Sequence, residues 1–469
     1  MMDLNKPHEA IGPFQKFVSL EPSVEEGYLR LANALNASGD LDGAFACLRQ
    51  ALARNDNFAT AHNNLGILLL ESGQVSQAVE SYGRAIENNP DYAAAYANLA
   101  TALWEQKSLD QAEINARRAI ELNPDLQAGH TALALILMVH GQIKEASDCI
   151  LEPILQFRKM GIEQDILLDT FNDINRYKVE HDMEQLTYLR DHNLLGHLGK
   201  NIEGLMDDYQ KLSVSVPEDG KIVQLSDLES LPGRPFFETY NRLVNIYEAP
   251  MIEGGAINPA LDLASIENAY HANPPGFSLV DNFLTDAAIT ELRRFCLEST
   301  IWYDISAVGD LGASLEEGFC CPLLLQIAEE IRERFPSIYG EHHFSTCWSY
   351  RYYAKKSGDG LHGDSGRVSV NVWLTPDEAN LEPEHGGLLF WNKKVPMLKV
   401  KDNPKEITSQ IMRDIIAEPD AEYFSVPYKC NRATLFNSNI IHKTDDINFK
   451  EGYLNRRLNI TFVFGKPEY

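Results

Sequence analysis

The chain has 469 residues, 44% of them apolar and 23% charged, a composition that folds and that excludes disordered and fibrous classes. Its length exceeds what one hydrophobic core usually serves, so two or three domains are expected. A formal net charge of −27 argues against nucleic acid or an anionic membrane as partner, since both are negative, and favours basic or neutral ones.

The seven cysteines include only one close pair, Cys320 and Cys321, so no disulfide framework is implied. The start, MMDLNKPHEA, lacks a basic stretch followed by an apolar run, and no segment approaches a membrane span. The resulting expectation is a cytoplasmic protein with no membrane contact.

Shifting the chain on itself by 34 residues aligns small residues at Ala32, Gly66, Ala100 and Ala134, and again at Ala44, Ala78, Ala112 and Ala146. A third small position recurs as Ala51, Ala85 and Ala119, and a helix-ending proline as Pro90 and Pro124; Asp56 and Pro153 break the pattern at either end. Paired amphipathic helices need small residues where they cross and a stop before the next pair begins. The pattern resembles the tetratricopeptide repeat over residues 24–160, which implies an all-α solenoid whose groove binds a protein or an extended peptide. Asn64 and Asn98 stand at the same place in consecutive repeats. The resemblance to the repeats of the O-linked N-acetylglucosamine transferase, where such asparagines grip peptide backbone, makes them candidate contacts. The ladder would be short, because the flanking equivalents are Arg30 and Ala132.

Residues 161–273 lose the repeat register but keep helical apolar spacing in ILLDTFNDINRYKVEHDMEQLTYLRDHNLL, which predicts helices that cap the solenoid. The stretch SVSVPEDGKIVQLSDLESLPGRP is rich in turn formers and reads as a hinge or linker. His181, His192 and His197 lie here without ligand spacing and are expected at the surface or in packing.

From residue 274 to 469 the texture changes. NFLTDAAITELRRFCLEST predicts a helix with Thr285 as its N-cap. Short β-rich runs follow: HFSTCWSYRYYA, RVSVNVWLTP, GGLLFWN, ATLFNSNIIH and RRLNITFVFG, the texture of a sandwich or jelly roll. Between the third and fourth runs, the insertion KKVPMLKVKDNPKEITSQIMRDIIAEPDAEYFSVPYK has the length of a lid or substrate wall.

His362-Gly363-Asp364 and the distal His442 offer two imidazoles and a carboxylate, the donor set that leaves open positions on a non-haem Fe(II). His-x-Asp alone recurs by composition in a chain with 13 histidines; its place in a longer pattern carries the weight. That pattern is Tyr353, His362 and Asp364, then Gly386-Gly387-Leu388, His442, and Arg457-Leu458-Asn459-Ile460-Thr461. Residues 276–469 thereby resemble the Fe(II)- and 2-oxoglutarate-dependent dioxygenases of the prolyl-hydroxylase-like group.

The resemblance implies a double-stranded β-helix (jelly roll) with flanking helices. His362, Asp364 and His442 would be the metal ligands, and Arg457 would grip the far carboxylate of 2-oxoglutarate, with Tyr353, Asn459 and Thr461 as further co-substrate contacts. Strand alternation sets Arg457, Asn459 and Thr461 on one face and Arg456 on the other; Tyr352 is the alternative to Tyr353. Asn459 stands where the family often has Ser. His385, His342 and His343 are expected outside the metal site, Asn371 and Trp373 to alternate between pocket and packing, and Asn437 and Asn439 to orient the distal histidine.

The implied reaction couples O₂ and the decarboxylation of 2-oxoglutarate to succinate with oxidation of a substrate C–H bond, ascorbate serving as an optional reductant. Beside peptide-binding repeats, a protein or peptide side chain is the expected substrate, as in the similar collagen prolyl hydroxylases. Three rivals remain. A small-molecule oxygenase would use the repeats for recruitment alone. An aspartyl/asparaginyl β-hydroxylase would lack the carboxylate ligand, which Asp364 supplies. A silent binding scaffold would not need every ligand type.

Overall fold

The computed structural model describes residues 7–158, 172–228, 232–237, 239–306, 309–353, 360–395 and 404–466. The chain divides into two compact units, Met1–Pro153 with Pro396–Ile411, and Ile154–Val395 with Met412–Tyr469. No described helix is long and apolar enough to cross a membrane.

In the first unit, helices Glu25–Ala37, Leu41–Arg54, Ala59–Glu71, Val75–Asn88, Ala93–Glu105, Leu109–Leu122 and Gln127–Val139 follow one another with short turns. The registered small residues are where the helices meet: Ala44, Ala78, Ala112 and Ala146, and Ala51, Ala85 and Ala119, are all 0% exposed. A Cβ on Gly66 would lie 2.5 Å from the Tyr82 ring, so this crossing has no room for a larger residue. The stop works as expected at Pro90 and Pro124, which follow the C-caps Asn89 and Asn123; Pro153 instead lies inside helix Ile143–Phe157. The turns within each pair share a left-handed residue at the same 34-residue period: Gly39, Gly73, Lys107 and Gly141, with φ of 80°, 72°, 61° and 73°. Glycine adopts this conformation freely, whereas lysine pays a steric penalty.

The second unit is built on antiparallel strands. β1 (Asp173–Ile174) pairs with β2 (Val223–Gln224). The remaining strands are β3 (Phe277–Val280), β4 (Asp304–Ile305), β5 (Asp310–Ser314), β6 (Phe344–Tyr352), β7 (Val368–Trp373), β8 (Leu388–Lys394), β9 (Tyr423–Val426), β10 (Ala433–Asn437), β11 (Ile440–Thr444) and β12 (Arg457–Phe464). They form a seven-stranded sheet in the order β3-β10-β7-β12-β6-β5-β4 and a three-stranded sheet in the order β11-β8-β9. A core of Tyr352, Trp373 and Phe436 from the larger sheet and Leu388, Phe390 and Val426 from the smaller lies between them. Gly387 permits the close approach of β8 to β9, since a Cβ there would sit 1.8 Å from the Val426 carbonyl oxygen.

Thr285 caps helix Asp286–Glu298 as its sequence predicts, accepting from the Ala288 N–H at 3.3 Å. The run ATLFNSNIIH divides into two strands, β10 in one sheet and β11 in the other. The expected hinge is tied down where it is described: β2 pairs with β1, and Val216, Leu225 and Phe236 are buried in one apolar cluster with helices Arg176–Asp191 and Ile202–Ser215. Its turn formers set local bends, and its apolar residues anchor them. Residues 172–273 thus belong to the same unit as the sheets. Of the long insertion, residues 396–403, with Lys399 and Lys401, lie outside the described residues; helix Pro404–Ile416 and β9 follow.

Candidate metal centre

His362 and His442 face one another as an antiparallel pair that exchanges both backbone hydrogen bonds, at 3.0 and 2.9 Å. Asp364 is drawn to the same place by its N–H, which donates to the Ser438 carbonyl at 2.8 Å. Gly363 allows that turn, because a Cβ there would lie 3.0 Å from the Ser438 oxygen and 2.8 Å from Val395. The three ligand atoms all lie within 4.8 Å of one another, and no other group of this kind occurs among the described residues.

Each imidazole is set in one tautomer. His362 Nδ1 lies 3.0 Å from the Gly360 carbonyl oxygen and His442 Nδ1 2.9 Å from that of Ile440. A carbonyl only accepts, so both Nδ1 atoms carry the proton and both Nε2 atoms keep a free lone pair. The His442 ring lies between Phe390 and Phe436, with centroid distances of 5.5 and 5.1 Å. Burial, followed by the neighbouring His362, lowers the pKa of His442 to about 4, against the opposing pull of Asp364. It is therefore neutral, as a ligand must be. Asp364 Oδ1 is 3.6 Å from His442 Nε2, and its buried Oδ2 has no hydrogen-bond partner. A buried carboxylate oxygen without a donor is costly, and a cation held by both imidazoles would relieve that cost. The donor set fits a divalent iron.

These side chains open into a cavity of about 240 Å³. Arg457 lines it and is 1% exposed. Its Nε and Nη2 donate to the carbonyls of Gly386 and Gly387, its Nη1 reaches Asn459 Oδ1 at 3.2 Å, and its guanidinium stacks over Tyr352 at 4.6 Å. No carboxylate forms an ion pair with it among the described residues. Asn459 and Thr461 share its face and meet at Asn371, whose Oδ1 accepts from both, at 2.8 and 3.2 Å. That leaves Asn371 Nδ2 buried without a partner in the cavity wall.

Tyr353 is not part of this wall, which corrects the expectation for it. Its hydroxyl donates to Glu184 Oε2 at 2.9 Å and its ring lies under Arg456 at 4.2 Å. The reason is register: Tyr352 is the residue paired with Arg457 across β6 and β12, and the next residue turns to the other face. Tyr352 lines the cavity and bonds Thr444 through their hydroxyls at 3.1 Å. Arg456 points away as alternation requires and pairs with Glu184 at 2.9 Å. Nor do Asn437 and Asn439 hold the His442 ring; Asn437 Oδ1 accepts from the Asn439 N–H at 3.0 Å and shapes the turn. Trp373 is packing, 0% exposed, and His385 pairs with Asp445 at 3.1 Å and is not part of the group formed by His362, Asp364 and His442.

Sequence reading did not find Asp310, Trp348, Tyr350, Phe436 and Thr444, which also line the cavity. Alternation from Tyr352 back through Tyr350 and Trp348 is a signal that was there to be read. Asp310 offers none, because it arrives through the pairing of β5 with β6.

In the first unit, Asn64 Nδ2 donates to Asn33 Oδ1 at 2.8 Å and Asn98 Nδ2 to Asn63 Oδ1 at 2.9 Å. The amides expected to meet a peptide are engaged between successive repeats.

Family models described as tetratricopeptide repeat and TPR repeat match residues 63–127 and 32–73. Among solved structures, MamA from Desulfovibrio magneticus is similar at 22% identity over 32% of this chain and 86% of that one, TM-score 0.30. YrrB, described as a TPR protein with an unusual peptide-binding site, is similar at 22% identity over 30% and 74%, TM-score 0.27. A thermophilic TPR protein of Thermus thermophilus is similar at 21% identity over 33% and 84%, TM-score 0.30. No curated protein matches the chain. Residues 32–127 are tetratricopeptide repeats, and with their neighbouring helices they form an all-helical solenoid.

Proposed function

We propose that the second unit is an Fe(II)- and 2-oxoglutarate-dependent oxygenase of jelly-roll type that hydroxylates a protein or peptide side chain recruited by the repeats. The observation that carries this reading is the convergence, in one cavity, of three potential metal-ligand atoms within 4.8 Å and a buried arginine that no carboxylate pairs with among the described residues. A buried guanidinium without a counter-charge is expensive, and a dicarboxylate co-substrate supplies one. The strand order β10-β7-β12-β6 opposite β11-β8-β9, with His362 bridged to β11, supports the jelly roll.

In this reading His362, Asp364 and His442 hold the iron, which when bound supplies the oxidising chemistry. Arg457 takes the far carboxylate of 2-oxoglutarate with its fork of donors. Tyr352 stacks on that guanidinium and fixes its plane, while Asn371 offers an unused N–H to the same co-substrate. Phe390 and Phe436 keep the His442 ring dry and aligned. The peptide partner rests on the tetratricopeptide repeats and on the acidity of the chain, which favours basic partners.

The test is succinate formation from 2-oxoglutarate under air with Fe(II) and ascorbate, with and without a peptide library, comparing the native chain with Asp364→Ala. Iron-dependent succinate that falls at least about a hundredfold in the variant, with stimulation by particular peptides, is expected. Equal turnover in the variant, or no succinate and no Fe(II) binding by the native chain, would reject the oxygenase.

A further inference from the structure

A chain of hydrogen bonds runs from Arg457 along the cavity wall. Arg457 Nη1 donates to Asn459 Oδ1 at 3.2 Å, and Asn459 Nδ2 donates to Asn371 Oδ1 at 2.8 Å. Thr461 Oγ1 donates to the same Asn371 oxygen at 3.2 Å. A guanidinium can only donate, so it fixes which end of the Asn459 amide faces it. That amide in turn fixes the Asn371 amide, whose nitrogen is left facing the cavity. Asn371 is 3% exposed, lines the cavity, and its Nδ2 has no hydrogen-bond partner. Each amide that accepts a bond becomes a better donor, and the first donor in this chain is a cation.

Register separates the two ends of the chain. Arg457 stands four residues before Thr461 on β12, about 13 Å along the strand, and Thr461 pairs with Asn371 on β7. Two residues before Asn371, on the same strand face, the Ser369 hydroxyl bonds that of Ser438 at 2.9 Å, and the Ser438 carbonyl is the one that seats Asp364. Asn371 therefore lies toward the candidate metal ligands, and the Arg457 backbone away from them. We infer that Asn371 is a second anchor for the co-substrate: its N–H groups receive the carboxylate beside the keto group, at the metal end, while Arg457 receives the far one. This deepens the oxygenase reading and rests on it. Asn459 is the positioning residue of the pair. A serine hydroxyl in its place is too short to reach both Arg457 and Asn371, so the amide here gives the two anchors a link.

The experiment titrates the full chain with Fe(II) under anaerobic conditions, by calorimetry. The loaded chain is then titrated with 2-oxoglutarate or with 2-oxobutyrate, which keeps the keto acid end and lacks the far carboxylate. Both are read by the charge-transfer absorption that a 2-oxo acid gives on chelating Fe(II). Asn371→Asp keeps an oxygen for Asn459 and Thr461 to donate to, but replaces the N–H groups with a second oxygen. It is expected to weaken both acids by a similar factor, at least about tenfold, with Fe(II) binding retained; Arg457→Lys should weaken 2-oxoglutarate alone. Should Asn371→Asp fail to fold, Asn459→Ser serves, weakening both acids about threefold. Native-like binding of both acids by a folded variant, weakening of 2-oxoglutarate alone by Asn371→Asp, or no 2-oxobutyrate signal from the native chain overturns the inference and leaves the oxygenase standing. A native chain that binds neither Fe(II) nor 2-oxoglutarate removes the oxygenase reading, and the anchor with it.

Discussion

The two units spend their small residues differently. In the repeats, Ala44, Ala78, Ala112 and Ala146 do one job four times over, so each crossing is a copy of the last. In the sheet unit Gly363, Gly387 and Gly312 each do a different job: bringing Asp364 to His442, letting β8 meet β9, and uncovering Tyr350. A repeated device tolerates damage in one copy, because stability is summed over neighbours. A unique one does not.

That comparison can be broken experimentally. Gly387→Ala forces a Cβ to within 1.8 Å of the Val426 oxygen, and should cost the sheet unit about 3 kcal/mol or more. Hydrogen exchange would show faster opening in β8 and β9 with the repeats unchanged; unchanged protection in β8 would refute the close approach. A second difference is pH. His181 is 0% exposed, ringed by Trp302, Tyr353 and Tyr453, and bonded to Asp182, with Lys178 and Arg351 nearby. Burial, the largest influence, lowers its pKa from 6.5 to about 4. The folded state refuses a proton that the unfolded chain accepts, so stability is full above pH 6.5 and drains away as the pH falls toward 4. The loss is on the order of 3 kcal/mol and should appear in the sheet unit first, by exchange in helix Arg176–Asp191. His181→Gln should remove its share of that loss and leave the share of His442, whose pKa is also lowered to about 4.

Smaller effects sharpen the comparison. For the proposed oxygenase, Arg457→Lys keeps the charge but loses the fork, and should raise the 2-oxoglutarate concentration for half-maximal turnover about tenfold, leaving Fe(II) affinity unchanged. An equal loss of iron binding would mean that the arginine holds the fold and not the co-substrate. In the repeats, Lys107→Gly restores the glycine found at Gly39, Gly73 and Gly141 and should stabilise the solenoid by about 0.5 kcal/mol, read as a slightly later thermal transition.

How legible each unit was in sequence follows from the same contrast. The repeats could be read by laying the chain on itself, because Ala32, Gly66, Ala100 and Ala134 meet similar surroundings. The residues of the candidate metal centre were legible for another reason: few side chains can ligate, and His362, Asp364 and His442 stood in order. The face of β12 was legible through alternation, which separates Arg457 from Arg456. What failed was whatever depended on strand register. Tyr353 was preferred over Tyr352 by its distance along the chain from His362, yet the pairing of Tyr352 with Arg457 decides which tyrosine enters the cavity. Asp310 was invisible because nothing in VGDLGAS announces that it will lie beside Tyr352. The asparagines were placed correctly at matching positions, but their mutual hydrogen bonds depend on how one repeat leans on the next.

The mutual backbone pairing of His362 and His442 reaches beyond geometry into ion exchange. Because each residue holds the other through two main-chain hydrogen bonds, the spacing of the imidazoles belongs to the sheet and survives the departure of whatever they hold. In the proposed oxygenase, iron would leave and be replaced without refolding, so a chelated preparation should regain full occupancy on simple mixing. Selection among competing metals would then pass to the choice of side chains and to supply.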